Sequence, residues 1–145
     1  MTLTDTGPIV ALLDPRQQHH VAAREVVAQA SLPLITTWPC LTEAMYFAQR
    51  EGGFLYESRL IEFVRTGMLR LFEAGEFTSD EDVGQSLVER ISQLMAQYKD
   101  LPMDFADASL VAAAEHLSLR RVFTLDSDFH IYRTKEGGAF EVIPA

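Results

Sequence analysis

One helical stretch sets the strongest condition on how this chain can fold. From Met103 to Glu115, and on to Leu117, an apolar stripe recurs at about 100° per residue, made by Met103, Ala106, Leu110, Val111, Ala113, Ala114 and Leu117. Asp107 falls inside that stripe, between Val111 and Ala114, with Asp104 on its flank. An ionised carboxylate on an inward face costs on the order of several kcal/mol unless a partner, hydrogen bonds or a metal ion compensates it. Pro102 and Asp104 read as a helix start, with Asp104 as N-cap and Asp107 in a first turn whose dipole suits negative charge. That reading accounts for Asp104. It accounts less well for Asp107, because a cap needs one carboxylate and the second lies on the apolar side.

The rest of the chain alternates strand and helix patterns. Met1 to Thr4 predicts a strand ending near Asp5, and Asp5-Thr6-Gly7-Pro8 leads into a helical pattern over Ile9 to Leu13. After the break at Asp14-Pro15, Gln18 to Ala30 predicts a helix with Val21, Ala22, Val26 and Ala30 at helical spacing. His19 and His20 are adjacent and point about 100° apart on a helix, which argues against a shared metal. Leu32 to Thr37 reads as a strand and Trp38 to Ala48 as a helix with a Thr cap and Pro39 in its first turn. Glu43 lies one turn in, among Leu41, Ala44, Phe47 and Ala48.

Gly52-Gly53 ends that helix. Phe54 to Val64 then carries Leu60, Ile61, Phe63 and Val64, more apolar surface than one packing face requires, as partner surfaces do. Leu69 to Phe72 reads as a strand. Asp80 to Tyr98 reads as a long helix with Val83, Leu87, Ile91, Leu94 and Met95 inward, opened by Ser79-Asp80-Glu81-Asp82, whose acids suit the helix dipole. Arg121 to Leu125 is a strand running into Asp126-Ser127-Asp128-Phe129, and Phe140 to Ile143 is a last, edge strand. The alternation predicts a three-layer α/β fold: a central, mostly parallel sheet of about five strands covered by helices on both faces.

Composition narrows the function classes. A chain of 145 residues with 48% hydrophobic content fits one domain over residues 1–145. A net charge of -9 argues against a broad basic face for nucleic acid, although bound divalent cations invert the sign inside an acidic cluster. The single cysteine, Cys40, leaves no internal disulfide and no Cys-rich zinc site, and reads as a small buried residue. No apolar run is long enough to span a bilayer and no secretory leader pattern opens the chain, so a cytoplasmic protein is expected.

The signal is joint. Asp5, Glu43, Asp107 and Asp126 all fall at strand ends or first helix turns on the same predicted edge of one sheet, where open α/β sheets bind ligands. Taken singly, Asp5 reads as a turn or cap and Glu43 as a solvated side chain. Hard oxygen ligands without His or Cys suit Mg²⁺ or Mn²⁺, which take a few carboxylates together with water and substrate phosphate. That combination points to phosphodiester chemistry.

With Asp5-Thr6-Gly7-Pro8, Leu41-Thr42-Glu43, the Asp107-Ala108 pair inside Met103 to Glu115, and Thr124-Leu125-Asp126-Ser127-Asp128-Phe129, the sequence resembles the PIN-domain ribonucleases. Within them it resembles the VapC-type toxins of bacterial toxin–antitoxin pairs. The resemblance covers nearly the whole chain and implies an Mg²⁺-dependent endoribonuclease, with Mn²⁺ as the other ion. Asp5, Glu43, Asp107 and Asp126 match its acidic quartet and Thr6 a hydroxyl beside the first acid. Asp104 and Asp128 match auxiliary acids that bind a metal, bind a metal-bound water, or only cap the chain.

Arg16, Arg120, Arg121 and Arg133 are candidates for the RNA backbone. Trp38 and Phe105 are candidates for stacking on bases, with Phe105 expected in the core. The resemblance further implies a homodimer silenced by an antitoxin, gripping the Phe54 to Val64 helix and the helix carrying Glu43. A PIN fold without catalysis and a housekeeping RNA-processing nuclease are the alternatives. A receiver domain lacks its adjacent acid pair and late lysine here, and a haloacid-dehalogenase phosphatase lacks Asp-x-Asp at the first strand.

Overall fold

A computed structural model describes residues 1–73 and 83–145. Five short strands, β1 (Thr2–Thr4), β2 (Leu34–Thr36), β3 (Leu69–Leu71), β4 (Arg121–Phe123) and β5 (Glu141–Ile143), form one sheet in the order β3-β2-β1-β4-β5. Every pairing is parallel, with Leu3 opposite Ile35 on one side and Val122 on the other. All five strands therefore end on one edge. β5 is an edge strand, as its sequence predicts.

Side chains alternate between the two faces, as the pleat requires. Leu3, Ile35 and Val122 pack with α4 (Val83–Gln97) and α5 (Phe105–Leu117). Leu34, Leu69 and Phe123 pack with α1 (Thr6–Leu13), α2 (His20–Gln29) and α3 (Trp38–Arg65). The three-layer α/β architecture expected from the alternation is the observed one, and no helix among the described residues is long and apolar enough to cross a membrane.

The helices differ from the sequence reading in instructive places. On α2 the buried residue is Ala23, and Val21 is 67% exposed. Two positions are about 200° on a helix, so turning Ala23 inward turns Val21 out. The break expected at Gly52-Gly53 is present: α3 is two helices joined at a kink, where Gly53 takes φ 61°, ψ -150°, a conformation that a side chain would strain. The kink resets the helical phase: Leu60 is fully buried, whereas Phe54, Leu55 and Ile61 face solvent. The expected opening of α4 at Ser79-Asp80-Glu81-Asp82 lies outside the described residues, as does the side chain of Val83. Further along α4, Leu94 is buried, and Leu87, Ile91 and Met95 are packed against the core.

Beyond the far end of α1, Asp14 anchors a compact polar knot. Its buried carboxylate accepts the Arg16 backbone N–H (3.0 Å), the Arg16 guanidinium (3.0 and 3.1 Å) and the Tyr56 hydroxyl (3.1 Å). The Arg16 hydrogen bond, foremost, holds this carboxyl at about 2, below the usual carboxylate range. A depressed carboxyl stabilises the fold fully above its unfolded pKa near 3.8 and loses that contribution as pH falls through about 2. Asp14→Asn should therefore lower the melting temperature at pH 7 by several degrees. In a thermal melt series the gap to wild type should close between pH 4 and pH 2.

Candidate active site

The strand order places the sheet's switch point between β1 and β4, because β2 and β3 extend one way from β1 while β4 and β5 extend the other. Ligands of open parallel sheets bind in the crevice outside the strand ends at that point. Asp5 follows β1 directly and is 7% exposed. It is the N-cap of α1: Oδ1 accepts the Thr6 N–H at 2.7 Å. Oδ2 accepts the Thr124 hydroxyl, also at 2.7 Å, across a gap of 119 residues. Thr124 in turn accepts the Asp126 N–H (3.0 Å), so one hydroxyl ties the acid after β1 to the acid after β4.

Asp126 caps a 3-10 turn, Ser127–His130, by accepting the Asp128 N–H at 2.9 Å. The turn carries the chain to Tyr132, fully buried and ringed edge-on by Tyr98 and Phe129. The Tyr132 hydroxyl donates to Asp107 Oδ2 at 3.1 Å. Asp104 is the N-cap of α5 and accepts the Asp107 N–H at 2.8 Å, as the sequence suggests. Asp107 itself is 9% exposed, within the helix face that packs inward. Glu43, half-buried one turn into α3, lies with Oε2 3.2 Å from the Thr6 hydroxyl, which is equally far from the Cys40 carbonyl.

These acids act on one another. Burial first, then the charges of Asp104, Asp5 and Asp126, push the Asp107 carboxyl up to about 7, against the lowering effect of the Tyr132 hydrogen bond. Burial raises Asp5 as well, partly offset by its Thr124 and Thr6 hydrogen bonds. Glu43 is raised by burial and then by Asp104. Cys40 is a buried thiol beside Asp5, pushed up to about 12 by burial and then by that charge, so it is inert packing rather than a nucleophile.

The donor set is all carboxylate oxygen, the chemistry of Mg²⁺ and Mn²⁺ sites. Among the described residues no three acidic, His or Cys side chains gather into a finished metal cage. Mg²⁺ is commonly held by one or two carboxylates, with water and phosphate oxygens completing its shell. The residues fit that mode of binding.

The remaining sequence candidates divide. Trp38 opens α3 at this edge and is 52% exposed. Phe105 opens α5 and is 54% exposed, not in the core, because the first residue after the cap projects beyond the helix packing. Arg16 is not brought to the acids. It lies past the end of α1, about 12 Å along the helix from Asp5, pairs with Asp14 and bonds the Glu51 carbonyl at 2.8 Å. Arg120 and Arg121 flank the opposite end of β4, where Arg121 pairs with Glu141 and Arg120 with the Ala139 carbonyl. Arg133 is near but committed: its guanidinium bonds the carbonyls of His130, Ile131 and Tyr132 at 2.8–3.0 Å. Sequence reasoning missed Thr124 and Tyr132 as partners of the acids. Thr124 stands two residues before an acid at a strand end, a signal that was available, whereas Tyr132 has none.

The PIN domain family model matches residues 2–135. The chain belongs to the PIN-domain family. Solved structures share its architecture. The VapC20 toxin of Mycobacterium tuberculosis, described as cleaving the sarcin-ricin loop, superposes with a TM-score of 0.74 at 16% identity, over 88% of this chain and 92% of that one. A toxin-antitoxin complex from Klebsiella pneumoniae gives 0.65 at 19%, over 89% and 90%. VapBC2 of Rickettsia felis, bound to a DNA fragment from its promoter, gives 0.64 at 12%, over 97% of each chain. At these identities the likeness is one of fold. No curated protein matches the chain.

The PIN site generates a stability test. A carboxyl raised from 3.8 to about 7 on folding burdens the fold increasingly as pH climbs from 4 to 7, and fully above. Asp107→Asn should raise the melting temperature at pH 8 by about 4 °C or more, an advantage that disappears below pH 4. Asp5→Asn should gain less, because it disturbs the bonds to Thr6 and Thr124.

Proposed function

We propose that this PIN domain is a divalent-metal-dependent endoribonuclease, the toxin of a toxin–antitoxin pair. The observation that carries the reading is the meeting of Asp5, Glu43, Asp104, Asp107 and Asp126 at one switch point, where each of the three most affected is destabilised by its acidic neighbours. A fold in need only of caps does not bury Asp107 against three like charges. A divalent cation removes that repulsion, and the neighbouring toxins of the same fold support the reading.

Asp5, Asp107 and Asp126 would hold the ion, with Asp104 and Asp128 as auxiliary acids. When bound, Mg²⁺ supplies Lewis acidity at the scissile phosphate and lowers the pKa of attacking water. Thr124 and the Thr6 N–H orient Asp5, and Tyr132 orients Asp107. Glu43, raised in pKa and beside the Thr6 hydroxyl, is suited to accept the proton from the attacking water.

The antitoxin would seat on the exposed apolar residues of α3, where Phe54 is 81% exposed and Tyr46, Leu55 and Ile61 are also exposed. Leu60, buried, belongs to the core and is no probe of that contact. In a solution of the pure protein the expected species is a homodimer. A non-catalytic PIN subunit is the second reading, favoured only by the absence of a three-ligand cage among the described residues.

A mixed RNA pool incubated with wild type and with Asp107→Asn tests the nuclease. Cutting should require Mg²⁺ or Mn²⁺, stop in EDTA, and fall at least about 100-fold in the variant. Metal-independent cutting, or full activity in Asp107→Asn, would sink the reading. For the partner surface, Phe54→Glu should reduce co-purification with the product of an adjacent gene while leaving RNA cleavage intact.

A further inference from the structure

We infer that the groove between the first turn of α3 and α5 is a seat for one unpaired base of single-stranded RNA, beside the bond the acids cut. The inference rests on the nuclease reading above and names how that substrate is gripped. The groove encloses about 380 Å³, and its walls include Trp38, Phe72, Leu87, Ile91 and Phe105. Two of its exposed walls are flat: Trp38 and Phe105 each keep about half their surface in solvent. The Trp38 ring is oriented, since its Nε1–H donates to Glu73 Oε1 at 2.8 Å. The helix ends that carry these rings are joined by the hydroxyl pair of Thr37, the cap of α3, and Ser109, one turn into α5, at 2.7 Å.

The position relative to the acids follows from the chain. Phe105 is the residue after Asp104, and consecutive Cα atoms stand about 3.8 Å apart. A base seated on Phe105 therefore stacks on the residue next to the capping acid Asp104, within about one nucleotide's reach of the carboxylate cluster.

Charge decides what kind of ligand fits. Among the described residues lining the groove, Glu73 is the only charged one. A phosphate is repelled there, whereas a neutral aromatic ring is not. The arginines that the sequence offered for the RNA backbone are engaged elsewhere: Arg16 with Asp14, Arg121 with Glu141, Arg120 and Arg133 with main-chain carbonyls. In this acidic protein the grip on RNA falls to stacking, which is sequence-tolerant and needs no basic face. A base inside a duplex keeps its faces against its neighbours and cannot enter, so the seat selects single strands and loops.

Trp38 is the only tryptophan in the chain, so its fluorescence reports the seat directly. Asp107→Asn protein in EDTA is titrated with a mixed-sequence RNA 12-mer and with the same 12-mer fully paired. The single strand should quench or shift Trp38 emission saturably, and the duplex should bind at least about tenfold more weakly. Phe105→Ala, an exposed change whose folding is checked by circular dichroism, should weaken the single strand about tenfold. By fluorescence anisotropy of labelled RNA, Trp38→Phe should bind within about threefold of its parent and Trp38→Ala should not. Between 50 and 200 mM salt the affinity should fall by only about threefold, the loss expected for roughly one phosphate contact.

No Trp38 response, equal binding of duplex and single strand, or unchanged affinity in Phe105→Ala overturns the seat. Metal-dependent cleavage without a Trp38 response would leave the nuclease reading standing and remove the seat. A Trp38 response in a protein whose wild type cuts nothing would do the reverse.

Discussion

A carboxylate placed at the end of the central strand is the constraint to which the rest of the site answers. Asp5 is desolvated by its position beyond β1, and two short donors, the Thr6 N–H and the Thr124 hydroxyl, keep its oxygens satisfied. The first bond is local and starts α1. The second is the furthest hydrogen bond in sequence that the site makes, and it forms only when β4 lies beside β1. The same hydroxyl receives the Asp126 N–H, so the geometry of one acid is set by the geometry of another. Asp107 is bound into the arrangement through Tyr132 on the same late segment. The acids are therefore a product of the sheet order, and not four independent choices of surface residue.

This arrangement runs against stability. Burial and mutual repulsion hold Asp107 near neutrality and raise Asp5 and Glu43, a cost that a domain selected for stability alone would shed. Strongly perturbed carboxyls in a cleft are where chemistry is expected. The acid at the opposite end of α1 shows the contrast: Asp14 is equally buried, yet its Arg16 and Tyr56 partners drive its carboxyl down to about 2. One helix thus carries a compensated carboxylate at one end and an under-compensated one at the other.

Much of this was legible in the sequence, for reasons that differ by residue. The parallel sheet was readable because strand and helix patterns alternate, and the acids because each follows a strand or opens a helix. Asp104 was readable as a cap because capping is local. What escaped depends on contacts between distant segments or on helix phase. Tyr132 gives no local sign that its hydroxyl meets Asp107, 25 residues earlier. In the Phe54 to Val64 helix the count of apolar residues did not separate Leu60, which is in the core, from Ile61, which is exposed, because which face turns inward is set by packing partners distant in sequence. Phe105 was read as core from its apolar character, but an N-terminal helix residue at the rim of a groove keeps its ring in water. The occupation of the candidate arginines by Asp14, Glu141 and main-chain carbonyls was likewise out of reach, because charge alone does not show that a guanidinium is already engaged.

The 119-residue bond between Thr124 and Asp5 also bears on when the site can exist during synthesis. A ribosome makes Asp5, Thr6 and Glu43 long before it reaches Thr124, Asp126 and Tyr132, and Asp107 shortly before them. Until those last residues have emerged and β4 has docked on β1, Asp5 lacks its hydroxyl donor and Asp107 its phenol. The paired acids are thus among the last features of the fold to be completed, since both of their side-chain donors come from its late segment.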